Sequence, residues 1–151
     1  MSKKNNPTKE KYIQQISERG NLLDSVRDKL LFNFKYFQYG EESGESFEEW
    51  EREEILADLN NKLKEFSEKT RQELQIDGTL EIYGDCPKGS EFKKPKALDI
   101  SEIEWSRLRI TGIRRLAGFF LKCLKNDDNR KNIFYVVFLD KDHRFAPSKQ
   151  R

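Results

Sequence analysis

Cysteine is nearly missing from this chain. Of 151 residues only Cys86 and Cys123 carry a thiol, and no second Cys or His lies at zinc-ligand spacing from either. A disulfide framework is thereby excluded, and the pair reads as two free thiols in a reducing cytoplasm. Long apolar runs are missing too. No window approaches the roughly 18 apolar residues of a membrane span, and Met1-Ser2-Lys3-Lys4-Asn5-Asn6 leads into no apolar signal-peptide core. A single histidine, His143, excludes a two-histidine nuclease. There is no G-x-x-x-x-G-K, G-x-S-x-G, H-E-x-x-H or C-x-x-C, so phosphate-loop, serine-hydrolase, zincin and thiol-redox chemistries lack their residues. Neither a metal nor another cofactor is expected.

What is present suits one domain by length. Hydrophobic residues reach 35% against 37% charged, so the core must lean on 11 Phe, 5 Tyr and 2 Trp, each of which buries a large area. The net charge of +2 conceals a split. Glu41 to Asp58 holds nine acidic residues and one basic one, Arg52. Trp105 to Arg151 holds twelve Lys and Arg against four Asp, an excess of eight positive charges. A basic half points either to a polyanion or acidic protein partner or to a solvated surface.

Residues 1–7 read as a disordered tail ahead of one α+β domain over 8–151. From Thr8 to Leu31 the apolar residues recur at helical spacing, and Gly20-Asn21 predicts two short helices or one broken helix. Phe32 to Phe37 suits a half-buried strand. Ser46-Phe47-Glu48-Glu49 fits a capping box, and the acidic cluster around it suits the positive end of a helix dipole. Beyond it Ile55, Leu56, Leu59, Leu63, Phe66, Thr70 and Leu74 form one stripe, predicting a long amphipathic helix closed by Asp77-Gly78. Thr79–Tyr83 is a short strand and Gly84–Lys96 a lysine-rich loop. Strands over Trp105–Thr111, Arg114–Leu124 and Asn132–Asp140 follow, with a turn at Gly112 and a polar hairpin loop at Lys125–Lys131. Phe134 to Leu139 is apolar without alternation, as a central strand covered on both faces is. The fold expected is a small antiparallel twisted sheet with helices packed on one face.

Strand, long helix and a three-stranded meander with a basic penultimate hairpin resemble the RelE/ParE superfamily of bacterial toxins over residues 32–145, with 8–31 as an N-terminal helical extension. The echoes are Leu108-Arg109-Ile110, Arg114-Arg115-Leu116-Ala117-Gly118-Phe119-Phe120-Leu121 and the closing Phe134–Phe145. The end is also similar to small proteins of bacterial mobile elements that finish in an aromatic strand plus Leu-Asp-x-x-His. The resemblance implies a RelE-like toxin of a toxin–antitoxin system. Such a protein is a metal-independent endoribonuclease (an mRNA interferase) of the cytoplasm, acting on messenger RNA, ribosome-bound mRNA included. It implies an antitoxin partner and no membrane. The alternative is a non-catalytic nucleic-acid- or protein-binding module on the same fold.

Metal-independent RNA cleavage needs an aligned 2′-oxygen, positive charge for the phosphorane and a proton donor for the 5′-oxygen. Arginine supplies charge in a planar fork that matches phosphate, and histidine can supply the proton. The candidates for catalysis are Arg115, His143 and Arg109. Arg107, Arg114, Lys141, Arg144 and Phe145 are the candidates for RNA contact, with Phe145 as a stacking surface and Lys149 as a secondary contact. Alternation places Arg107 and Arg109 on one face with Thr111, opposite Leu108 and Ile110; that face is either solvated or phosphate-binding. His143 follows a strand in a charged tetrad, as an inert loop residue or the proton donor. Asp140 and Asp142 face one way, as a hairpin end or a divalent-ion pair.

Overall fold

Ser46 starts a helix as its sequence predicts: its hydroxyl oxygen accepts the Glu49 backbone N–H at 3.1 Å, satisfying a donor that the first helical turn leaves free. The helix does not run on to Asp77. In the computed structural model, which describes residues 7–122 and 131–147, that stretch is three helices, α2 (Phe47–Arg52), α3 (Leu56–Phe66) and α4 (Arg71–Ile76). Glu54 ends the first in a left-handed conformation, φ +62°. Thr70 opens the third by accepting the Glu73 N–H at 3.1 Å. Thr70-Arg71-Gln72-Glu73 is a second capping box, hidden because Leu59, Phe66 and Leu74 all stay buried on one side across the break. Upstream, α1 (Pro7–Val26) runs uninterrupted through Gly20, since one glycine costs a helix only about 1 kcal/mol. Its Leu22, Leu23 and Val26 are each more than half exposed.

Five strands form one sheet: β1 (Leu31–Asn33), β2 (Leu80–Gly84), β3 (Ile103–Arg109), β4 (Arg115–Leu121) and β5 (Ile133–Asp140), in the order β1-β5-β4-β3-β2. The sheet is mixed, not antiparallel throughout, because β1 pairs parallel with β5. The chain between these two neighbours runs through α2–α4 to β2 at the far edge and back through β3 and β4, well beyond the dozen or so residues that a parallel pair requires. β1 is also shorter than Phe32–Phe37, because a turn with Phe37 N–H on the Phe34 carbonyl (3.0 Å) takes the chain out of the strand. Residues 125–130 of the expected hairpin loop, like the tail at 1–6, lie outside the described residues. Among the described residues no helix is long and apolar enough to cross a membrane.

The helices cover one face, where Trp50, Leu59, Phe66 and Leu74 pack with Leu108, Leu116, Phe120 and Phe134. The other face is roofed as well. There Phe92 and Leu98 of the loop between β2 and β3, and Phe145 after β5, close over Trp105, Phe119 and Phe138. Cys86 packs part-buried in this second cluster, where burial raises its thiol pKa; Cys123 is outside the described residues. β5 lies between β1 and β4, and Phe134, Val136, Val137, Phe138 and Leu139 are fully buried, as a central strand covered on both faces requires. Among the described residues the second face stays open at its β2–β3 end, where Glu81 and Arg109 are exposed.

A register irregularity at Ala117/Gly118 sets the strands around Gly118. A methyl group there would collide with the Tyr135 carbonyl oxygen and sit 2.9 Å from the Phe134 ring. Gly118→Ala is therefore expected to cost on the order of 3 kcal/mol, read as a lowered urea midpoint. An unchanged midpoint would contradict the packing at this crossing.

Candidate functional site

Alternation along β3 sends Leu108 and Ile110 into the helix-side core and Arg107 and Arg109 to the opposite face. The ladder then decides their neighbours. Arg107 stands between Glu81 of β2 and Ala117 of β4, while Arg109 stands opposite Arg115, which in turn faces Asp140 of β5. Two adjacent rows thus hold three guanidinium groups. Arg109 is exposed and Arg115 is buried.

Arg107 donates through Nη1 to the Thr79 carbonyl at 3.1 Å and through Nη2 to Glu81 Oε2 at 2.8 Å. Arg115 Nη1 donates to the carbonyls of Gly112 (2.6 Å) and Arg114 (3.1 Å). In both arginines Nε is buried without an acceptor, a state that costs free energy unless water or a ligand fills it. Burial pulls the Arg115 pKa below the ordinary arginine value, and repulsion from Arg107 and Arg109 pulls it further. The cluster carries more positive charge than its own acids compensate.

Beside Arg107 lies a cavity of about 630 Å³ lined by Glu81, Tyr83, Pro87, Lys88, Gly89, Arg107, His143, Ala146 and Pro147. Tyr83 is a part-buried member of this lining. Burial raises the phenol pKa above its usual value, opposed by a hydrogen bond with Arg107, so the hydroxyl keeps its proton at neutral pH. The His143 side is built by Asp140, whose Oδ1 and Oδ2 accept the backbone N–H groups of Arg144 (2.7 Å) and Phe145 (2.8 Å). That turn holds His143 at φ +59° and drops Phe145 onto Trp105, with ring centroids 5.7 Å apart. Glu45 secures the same turn through Oε1, which accepts the Lys141 N–H at 2.6 Å and the Trp50 indole N–H at 3.0 Å.

Of the residues singled out from sequence, Arg107 and His143 share this cavity, with Arg109 and Arg115 in the neighbouring row. Arg114 and Lys141 do not join them: they line a separate depression, Arg114 bonded to Thr111 Oγ1 at 3.1 Å and Lys141 to Glu53 at 2.5 Å. Arg144 lies over the Phe92 ring at 5.1 Å and beside Glu91. Phe145 must be corrected: at 1% exposure it is core, and no base can stack on it. Lys149 lies outside the described residues. Of the two alternatives for Asp140 and Asp142, Asp140 serves the strand end and not a divalent ion: its Oδ1 and Oδ2 are engaged by the backbone N–H groups of Arg144 and Phe145. Glu81, Tyr83 and Lys88 were not anticipated. Alternation in Leu80-Glu81-Ile82-Tyr83 already puts Glu81 and Tyr83 on the open face; nothing local marks Lys88.

No family model, curated protein or solved structure matches this chain. The chemistry of the residues themselves therefore carries the functional assignment.

Burial raises the pKa of Glu45, and the nearby Asp140 and Asp142 charges raise it further, against the two hydrogen bonds it accepts. A carboxyl whose folded pKa lies above its unfolded one binds more protons when folded, so its contribution to stability falls as pH rises through that interval. Glu45→Gln keeps an oxygen for both donors. Its stability relative to the parent should therefore increase as pH is raised from about 4.3 through the folded pKa and then level off, followed by urea unfolding. A difference independent of pH would contradict the burial of this acid.

Proposed function

We propose that the cavity is the RNA site of a RelE-like toxin of a toxin–antitoxin pair, a metal-independent endoribonuclease acting on messenger RNA. One observation carries this: part-buried Arg107 lines a cavity together with His143, Tyr83 and Lys88, buried Arg115 lies in the adjoining row of the sheet, and the Nε of each arginine has no acceptor. Anionic oxygen is the natural acceptor for such donors, and a phosphodiester brings it in pairs. Element order and the basic hairpin favour the same family. The chemistry divides by residue type. The 2′-oxygen attacks phosphorus and loses its proton to solvent as the bond to the 5′-oxygen breaks; the guanidinium groups offset the charge that builds on the phosphorus oxygens, and His143 gives a proton to the departing 5′-oxygen. Tyr83 holds its proton and so serves as a second donor. An acidic antitoxin segment would cover the basic rows when cleavage is to be silenced.

A second function, non-catalytic binding of nucleic acid on the same surface, is favoured by one feature: among the described residues the one carboxylate lining the cavity, Glu81, is already held by Arg107. Expression in a bacterium separates the two. The parent protein is expected to slow growth and cut RNA. Arg107→Ala, Arg115→Ala and His143→Ala should each lower cleavage by about 10² to 10⁴, and Lys141→Ala should change it little. Salt-sensitive binding without cleavage would replace the nuclease with the binding module. Neither growth defect, cleavage nor binding would end the RNA assignment.

A further inference from the structure

We infer that Glu81 is a built-in competitor for the phosphate at Arg107, so that the acid lowers RNA affinity while stabilising the empty site; this rests on the RNA function proposed above. Glu81 and Arg107 are directly opposed in the β2–β3 ladder, and Oε2 accepts from Nη2 at 2.8 Å. The two partners are unequal. Arg107 is 11% exposed and tied by its other nitrogen to the Thr79 carbonyl, whereas Glu81 is 52% exposed. The guanidinium is the fixed member and the carboxylate the one free to leave. A phosphate oxygen entering the cavity meets Arg107 with Nη1 on the Thr79 carbonyl and Nη2 on Glu81, and with Nε buried behind them without an acceptor, so Nη2 is the nitrogen that departure of Glu81 frees.

Magnitudes favour exchange over exclusion. A half-exposed ion pair is worth about 0 to 1 kcal/mol, and a bidentate phosphate contact on a guanidinium exceeds that. The phosphate therefore displaces the carboxylate at a fractional cost in affinity. With no ligand bound, the Glu81 carboxylate offsets the charge of Arg107, its direct partner, in a cluster that also holds Arg109 and Arg115. Affinity and stability should thus respond in opposite directions to loss of this one charge. A purely structural salt bridge would move both downward.

The test measures binding of a single-stranded RNA with 2′-O-methyl riboses, which cannot be cleaved, to the full chain. The proteins compared are the parent, Glu81→Gln, Arg107→Gln and the double variant. Glu81→Gln should bind about two- to fivefold more tightly and melt at a lower temperature. In the Arg107→Gln background the gain should vanish, because the competition acts through Arg107. Should Glu81→Gln fail to fold, Glu81→Asp, one methylene shorter, is expected to give a smaller gain in the same direction. Equal or weaker binding by the folded variants overturns the inference while leaving the RNA site standing. An equal gain with and without Arg107 overturns it too, as simple removal of negative charge. No binding by any of the proteins overturns both it and the RNA function.

Discussion

The buried carboxylate of Asp140 holds the open end of the sheet together. It is fully buried at the last position of β5, and burial raises its pKa above the usual aspartate value against the two backbone hydrogen bonds it accepts. An ion so placed costs several kcal/mol of desolvation, and the charge-assisted bonds from Arg144 and Phe145, with Arg115 opposite in the ladder, offset that. The return is geometric. The chain turns sharply, Phe145 seals the aromatic cluster over Trp105 and Phe138, and His143 reaches the cavity rim. Glu45 grips Lys141 from the helix side, so two buried acids fix one short exit.

This arrangement explains how a sheet roofed on both faces retains a site. The loop after β2 and the exit after β5 cover the aromatic middle of the second face but leave a gap between them over β2 and β3. Into the gap face the side chains that cannot join an aromatic core: Arg107, Glu81 and the tip of Tyr83. The apolar wall of Pro87, Ala146 and Pro147 beside Arg107 and Lys88 makes the cavity amphipathic, as a nucleotide is.

Much of the fold was legible where periodicity and caps agree. The burial of Phe134 and Val136–Leu139, the turn at Gly112 and the Ser46 cap follow from local pattern alone. The long helix failed because its apolar stripe keeps phase across two breaks. Those breaks depend on one left-handed residue, Glu54, and on a Thr70 cap that reads as part of the stripe. The parallel β1 was hidden because strand direction is a property of the crossover and not of Leu31–Asn33. Within the site, alternation correctly separated Arg107 and Arg109 from Leu108 and Ile110. It could not show that Phe145 is core, because that follows from the Asp140 turn five residues earlier, nor bring Lys88 from a distant loop to His143.

The central proposal is that Arg107 and Arg115, whose Nε donors have no acceptor, bind a phosphate. It is tested most directly by following the Nε–Hε signals of the arginines by NMR while single-stranded RNA is added. The account predicts that the Arg107 and Arg115 signals shift first and saturate together, and that added salt reverses them. Shifts confined to Arg114 or Arg144, or no arginine shift at saturating RNA, would contradict it.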